Sequence, residues 1–323
     1  MSWKDRNVLI TGVGGFVGSR LAMRLNDEGA NVVGLVRNIN SLPPTIANDI
    51  NVLIGDICDY DDLCEAISFY EIDTIYHFAA YAIVRVSSKD PMTTYRVNVM
   101  GTANLLEAAR NVGRVERIVV ASSDKAYGDH VSLPYTENHS LQPRNTYDTS
   151  KACMDMVSRS YAWNYDMPIF VSRCSNIYGP GDMNLSRIIP NTIRRASEGK
   201  PPQLYSDVEK MKREFVYIND VIDAYLKMGD VRTNVFTGEA YNVGGTGEVE
   251  IYELVDKISK ILGVEESPIV LPRDPLFKEI ERQYIDASKL ERDMKWKPTT
   301  SLDEGLHRTV DWYLDYYEKG LYK

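Results

Sequence analysis

Short runs rich in β-branched residues, Asn7 to Thr11, Asn31 to Val36, Val52 to Ile54, Thr74 to His77, Arg117 to Ser122 and Ile169 to Arg173, recur through the first half of the chain. Longer segments with the apolar spacing of amphipathic helices lie between them, among them Gly15 to Glu28 and Pro91 to Val112. Strands joined by helical crossovers return parallel to one another, so this alternation restricts the fold to α/β with a doubly wound parallel sheet. After Cys174 the alternation stops: Gly179, Pro180 and Gly181 cluster, and a helix is expected from Ser186 to Glu198 before a Lys-Pro-Pro turn. Two further helical patterns run from Tyr252 to Leu262 and from Asp303 to Tyr317. With 323 residues the chain exceeds one minimal core. We therefore expect a sheet domain over 1–173, rejoined around 214–241. A smaller mixed α/β C-terminal lobe over 174–213 and 242–323 would hold the substrate.

The first strand runs straight into Thr11-Gly12-Val13-Gly14-Gly15-Phe16-Val17-Gly18 and then into a helix. Glycines at a strand-to-helix turn let the backbone approach a pyrophosphate, while the helix N-terminus offers unpaired N–H groups and a favourable dipole. Gly12, Gly15, Phe16, Val17 and Gly18 are thus expected to bind a dinucleotide, which makes the sheet Rossmann-like. An NAD site usually has an acid at the end of the second strand, on the adenosine ribose; this chain has Arg37 there. A guanidinium pairs with a 2′-phosphate, so the expected NAD(P) cofactor leans towards NADP; the alternative is a solvated arginine in an NAD site. Asp56 and Ile57, after the third strand, are placed to contact adenine, although an acid there can equally cap the next helix.

A formal net charge of -9 argues against a nucleic-acid partner, which would need a basic face. No stretch has the apolar length of a membrane span, and the N-terminal run lacks a signal-peptide core, so a cytoplasmic location without membrane contact is expected. The four cysteines, Cys58, Cys64, Cys153 and Cys174, have no zinc-type or redox spacing, and no metal is expected.

Tyr147 and Lys151 are four apart at the start of a helix, which puts phenol and ammonium on one face. The cation favours the phenolate, a base able to take a proton from a sugar hydroxyl as hydride leaves. In a chain with 21 tyrosines, about one such spacing arises by chance, so the pair needs its context.

That context is the ordered set of the glycine-rich turn, His77-Phe78-Ala79-Ala80, Asn98-Val99-x-Gly101-Thr102, Ser122-Ser123 and Tyr147-x-x-x-Lys151. Asn176-Ile177-Tyr178-Gly179-Pro180-Gly181, Arg213-Glu214-Phe215-Val216-Tyr217 and Trp296-x-Pro298 extend it towards the C-terminus. Together they resemble the extended short-chain dehydrogenase/reductase family, in its nucleotide-sugar epimerase/dehydratase branch. The resemblance implies Tyr147 as the base at the C4 hydroxyl, Lys151 as its electrostatic partner and nicotinamide-ribose ligand, and Ser123 as the hydroxyl that orients the sugar. It also implies cofactor contacts from Ala79, Ala80 and Asn98, phosphate ligands among Asn176, Arg187, Arg213 and Arg282, a nucleotide-diphosphate sugar as substrate, and a homodimer. His77, a lone histidine at a strand end, is expected to be structural.

Ser123 is followed by Asp124 and Lys125, where epimerases of the branch place small or uncharged residues. Ser-Asp-Lys looks most like the CDP-glucose 4,6-dehydratases and the inverting UDP-N-acetylglucosamine 4,6-dehydratases, and the run from Gly181 to Pro190 leans to the former. Once C4 is a ketone, eliminating water requires a base at C5 and an acid at O6; Lys125, neutral, is expected as the base and Asp124, protonated, as the acid. The competing expectations are a 4-epimerase in which Asp124 and Lys125 are bystanders and, more remotely, a redox-inert ligand-sensing scaffold.

Overall fold

The computed structural model describes residues 3–206, 208–230, 238–272 and 279–320. The expected strands form with boundaries shifted by at most a residue: β1 (Asn7–Thr11), β2 (Asn31–Val36), β3 (Asn51–Ile54), β4 (Thr74–His77), β5 (Arg117–Ala121) and β6 (Ile169–Cys174). Between them run α1 (Phe16–Asp27), α2 (Tyr60–Phe69), α3 (Val84–Lys89), α4 (Pro91–Tyr95), α5 (Gly101–Val112) and α6 (Thr146–Tyr165). The second half contributes β7 (Asn176–Tyr178), α7 (Ile188–Ser197), β8 (Gln203–Tyr205), β9 (Lys212–Tyr217), α8 (Ile218–Gly229) and β10 (Ala240–Val243). It ends with β11 (Glu248–Glu250), α9 (Ile251–Leu262), β12 (Ile269–Leu271), β13 (Arg282–Gln283), α10 (Ser288–Met294) and α11 (Leu302–Glu318).

A seven-stranded parallel sheet has the order β3-β2-β1-β4-β5-β6-β10. Alternate residues face two cores: Val8, Ile10, Tyr76, Val119 and Phe170 on one side, Leu9, Ile75, Ile118, Val120 and Ile169 on the other. Burial of both faces is why these strands read as continuous apolar runs. The order reverses between β1 and β4, and a ligand crevice is expected outside the carboxyl ends of strands at such a switch point.

The segment read as one helix from Pro91 to Val112 is α4, a π-helical turn over Arg96–Met100 and α5. The chain returns to the main sheet through α8 and β10; residues 231–237 lie outside the described residues. The expected return around 214–241 is corrected at its start. Glu214 to Tyr217 belong to β9, which pairs with β7, β11 and β13 in a separate small sheet. β8 and β12 form a parallel pair, and α7, α9 and α11 pack together beside these strands. A buried clip ties the C-terminal segment to α8. Trp296 Nε1 donates to the Asp220 carbonyl at 2.9 Å, and the Asp220 carboxylate accepts from the backbone N–H groups of Thr299 and Thr300 at 3.0 and 3.1 Å.

Candidate active site

A cavity of about 1690 Å³ opens over the carboxyl ends of β1, β2, β4, β5 and β6 and continues under the second lobe. Gly12, Gly15, Phe16, Val17 and Gly18 line it at the start of α1. Gly12 has φ +71°, and a Cβ there would lie 2.7 Å from the Ala79 nitrogen; a Cβ on Gly18 would lie 2.4 Å from the Gly12 carbonyl oxygen. Only glycine fits this cradle. Gly15 caps α1 without a side-chain hydrogen bond, so the first N–H groups of the helix remain available to a ligand. Arg37, Asp56, Ile57, Ala79 and Ala80 line the same end. Asp59, not Asp56, caps α2; Asp56 Oδ1 instead accepts from the Cys58 N–H at 2.9 Å. These groups fit a dinucleotide, its pyrophosphate at the uncapped helix and its adenosine near Arg37.

Ser123 to Tyr127 form a turn at the carboxyl end of β5. Ser123 caps a 3-10 turn spanning Asp124–Tyr127, its Oγ accepting from the Lys125 N–H at 3.2 Å and donating to Asp124 Oδ1 at 3.2 Å. Ser122 Oγ donates to the Lys151 carbonyl at 3.1 Å, fastening the end of β5 to α6 and bringing Tyr147 beside Ser123. The far end of the turn is anchored by Tyr127, whose hydroxyl donates to Asn242 Oδ1 at 2.7 Å and accepts from Arg173 at 3.0 Å. Arg173 is itself held by Asp155 of α6 through two bonds of 2.8 and 3.0 Å.

The electrostatics follow from burial. Asp124 is 2 % exposed, its Oδ2 has no hydrogen-bond partner among the described residues, and desolvation holds its carboxyl above the usual range, with Lys125 opposing the shift. Burial likewise raises the Tyr147 phenol, against the pull of Arg187, and lowers Lys151 to about 8. Asp148, next to Tyr147 and 4 % exposed, is pushed up to about 7 by desolvation, again opposed by Lys125. His77 is fully buried between the hydroxyls of Thr11 and Thr102, at 2.7 and 2.9 Å, and burial lowers it to about 3, so it is neutral and structural.

Ser123, Asp124, Lys125, Tyr147, Asn176, Arg187 and Arg213 all line the cavity. Three expected site residues do not. Arg282 is exposed and pairs with Glu248, so a phosphate-binding role for it is withdrawn. Asn98 is wholly buried within the π-helical turn, where its Oδ1 accepts from the Tyr81 N–H at 2.7 Å, bracing the loop after β4. Lys151 lies beneath the cavity wall, its Nζ donating to the Ala121 carbonyl at 2.7 Å. Two residues escaped the sequence reading. Asp148 sat inside the Tyr-x-x-x-Lys spacing that could have drawn attention to it, whereas Gln283, which bonds Lys125, gave no local signal.

A family model described as GDP-mannose 4,6 dehydratase matches residues 9–309. The chain belongs to the extended short-chain dehydrogenase/reductase family, in its nucleotide-sugar dehydratase and epimerase branch. Among relatives of this branch, a trifunctional protein of Arabidopsis thaliana named for UDP-glucose 4,6-dehydratase, 3,5-epimerase and reductase activities is 31% identical over 97% of this chain, which spans 48% of that protein. The chain thus covers about half the length of that relative. The dTDP-glucose 4,6-dehydratase of Salmonella typhimurium is 32% identical over 95% of the chain and 92% of its own length. Among solved structures, dTDP-glucose 4,6-dehydratase from Bacillus anthracis in complex with NAD superposes with a TM-score of 0.87, at 28% identity over 98% of this chain and 100% of that one. UDP-glucose 4-epimerase from Thermotoga maritima with UDP-glucose gives the same TM-score at 25% identity, over 98% and 100% of the two chains. Both activities of the branch are therefore represented at similar distance.

Proposed function

We propose that the chain is an NAD-dependent nucleotide-sugar 4,6-dehydratase acting on a nucleoside-diphosphate hexose with free 4- and 6-hydroxyls. The observation that carries this reading is Asp124: a carboxyl at the cavity wall, buried, raised towards its neutral form and left with an unpartnered oxygen, directly beside a lysine. An epimerase needs no acid at O6, and a buried bystander aspartate would cost stability without return.

When bound, NAD supplies the hydride acceptor for C4 and the hydride donor for C6. Gly12, Gly15, Phe16, Val17 and Gly18 would hold its pyrophosphate, Arg37, Asp56 and Ile57 its adenosine, and Tyr147 its nicotinamide ribose, with Lys151 behind the wall supporting the end of β5. The solved relatives with NAD shift the cofactor away from the NADP that Arg37 suggested. Competitive binding of the two cofactors to wild type and Arg37→Ser tests this, with NAD expected to bind more tightly to both. Asn176, Arg187 and Arg213 are the proposed phosphate and sugar ligands.

Tyr147 takes the 4-hydroxyl proton as the phenolate, which Arg187 and the hydrogen bond to Ser123 favour against the upward push of burial, while Ser123 hydrogen-bonds the same oxygen. Lys125, neutral, then takes the C5 proton acidified by the ketone, and Asp124 gives its proton to the 6-hydroxyl, which leaves as water. Lys125 returns its proton to C5 as C6 is reduced. Turnover ends with Tyr147 protonated and Asp124 ionised, so one proton passes back to Asp124 before the next cycle. The 4-epimerase reading keeps only the first step. Stopped-flow measurement of Lys125→Met separates them: the dehydratase variant reduces the cofactor and stalls, whereas an epimerase variant turns over normally.

The helices α4 to α6 expose Met92, Met100 and Met156, and we propose that this face pairs two subunits. Sedimentation of wild type as a dimer and of Met100→Asp as a monomer would support it.

A further inference from the structure

Gln283 lies in β13, a two-residue strand of the second lobe, 158 residues from the lysine that it touches. Its side chain is wholly buried and stands behind the turn at Asp124, outside the residues that line the cavity. Both ends of the amide are used. Nε2 donates to the Asp124 carbonyl at 3.1 Å, and Oε1 accepts from Lys125 Nζ. One rigid planar group therefore fixes the backbone of the proposed acid and the tip of the proposed base.

We infer that Gln283 is the positioning residue that holds Lys125 as a base at C5; this rests on the dehydratase reading above. A lysine side chain left alone beside acidic neighbours would turn to them, and Asp124 and Asp148 both feel the Lys125 charge. A carboxylate partner would also favour the ammonium form and so disable the base. The amide oxygen has neither drawback. It is uncharged, and it accepts a hydrogen bond from an amine as well as from an ammonium, so the contact survives as Lys125 gains and returns the C5 proton. The anchor has its own support: in the pairing of β13 with β9, Gln283 lies beside Arg213, a proposed ligand of the nucleotide sugar. The second lobe thus carries a phosphate ligand and the brace of the C5 base on adjacent strands.

The test compares wild type with Gln283→Met and the isosteric Gln283→Glu, using a nucleoside-diphosphate hexose that the wild type converts. C4 oxidation is followed by the absorbance of reduced cofactor and elimination by product release. Exchange of the C5 hydrogen of the 4-keto-6-deoxy product in heavy water, read by NMR, reports on Lys125 without any redox step. Both variants are expected to melt somewhat below wild type, because a buried hydrogen bond is lost, yet to oxidise C4 at the wild-type rate. Elimination and C5 exchange should fall about tenfold to a hundredfold in Gln283→Met, the usual consequence of losing a hydrogen bond to an ionisable group. They should fall further in Gln283→Glu, because a carboxylate holds Lys125 as an ammonium. Equal loss of both steps, unchanged elimination, or recovery in Gln283→Glu would overturn the assignment. If Gln283→Met fails to fold, Gln283→Glu against wild type decides alone. A wild type that dehydrates normally while the variants show no partition sinks only this inference; a wild type that dehydrates no hexose sinks the dehydratase reading and the inference with it.

Discussion

Asp155→Leu should unfold this protein more readily and disturb the turn at Asp124 from a distance. Arg173 and Asp155 have side-chain exposures of 1% and 0%, and Asp155 supplies two of the guanidinium's hydrogen bonds. Without it, Arg173 keeps, among the described residues, the Tyr127 hydroxyl at 3.0 Å, the Glu137 carbonyl at 3.4 Å and the face of the Tyr127 ring at 4.9 Å. Removing one partner of a buried ion pair costs about 3–5 kcal/mol, because a charge is left uncompensated away from water. At ~2.1 cal/mol/K per residue over 323 residues, that cost lowers Tm by about 4–7 °C if the chain unfolds in one step. Scanning calorimetry supplies the comparison, and the double variant Asp155→Leu/Arg173→Met is its control: an apolar pair of similar volume should recover most of the loss. Tyr127 ends the turn that begins at Asp124, so elimination in the folded single variant should also slow. A single variant that melts with wild type, or a double variant no better than the single, would refute the reasoning.

Gly18→Ala should abolish cofactor binding by fluorescence titration while leaving the fold intact by circular dichroism, since the added carbon meets the Gly12 carbonyl oxygen; tight binding would remove the glycine cradle from the site. Asp124→Asn should reduce cofactor in a single turnover yet release no dehydrated product, and normal product release would exclude Asp124 as the acid. Asp148 is raised by burial to about 7, so between its unfolded and folded values the native state binds more protons and stability falls as pH rises. Asp148→Asn should therefore gain urea resistance relative to wild type from pH 5 to pH 8, by up to about 1.4 kcal/mol per pH unit, and a difference that does not change with pH would contradict the shift.

Six of the seven strands of the sheet were legible, five of them because they are buried on both faces, and their boundaries moved by no more than one residue; β3, at the sheet edge, is only partly buried, and β10 was not read. The lining of the cavity was legible where its residues lie close together in the chain, as in Gly12 to Gly18 and Ser123 to Lys125. It was not legible where a role depends on distant packing. Arg282 was a phosphate ligand implied by the resemblance, but β13 turns it outward to Glu248, while its neighbour Gln283 points inward to the turn at Asp124. Successive strand residues face opposite sides, so which of the two met the site depended on the register of β13 on β9, and a two-residue strand carries no period from which to read it. Asn98 does not line the cavity because a π-helical turn, invisible in apolar spacing, draws it inside.

The central claim is that Asp124 and Lys125 eliminate water from a C4-oxidised sugar. Incubating the protein and NAD in heavy water with CDP-, UDP-, GDP- and dTDP-hexoses, and weighing and assigning the products by mass spectrometry and NMR, tests it directly. The account predicts a 4-keto-6-deoxy product, lighter by one water and carrying deuterium at C5. A product of unchanged composition with inverted C4 and no deuterium at C5 would contradict it.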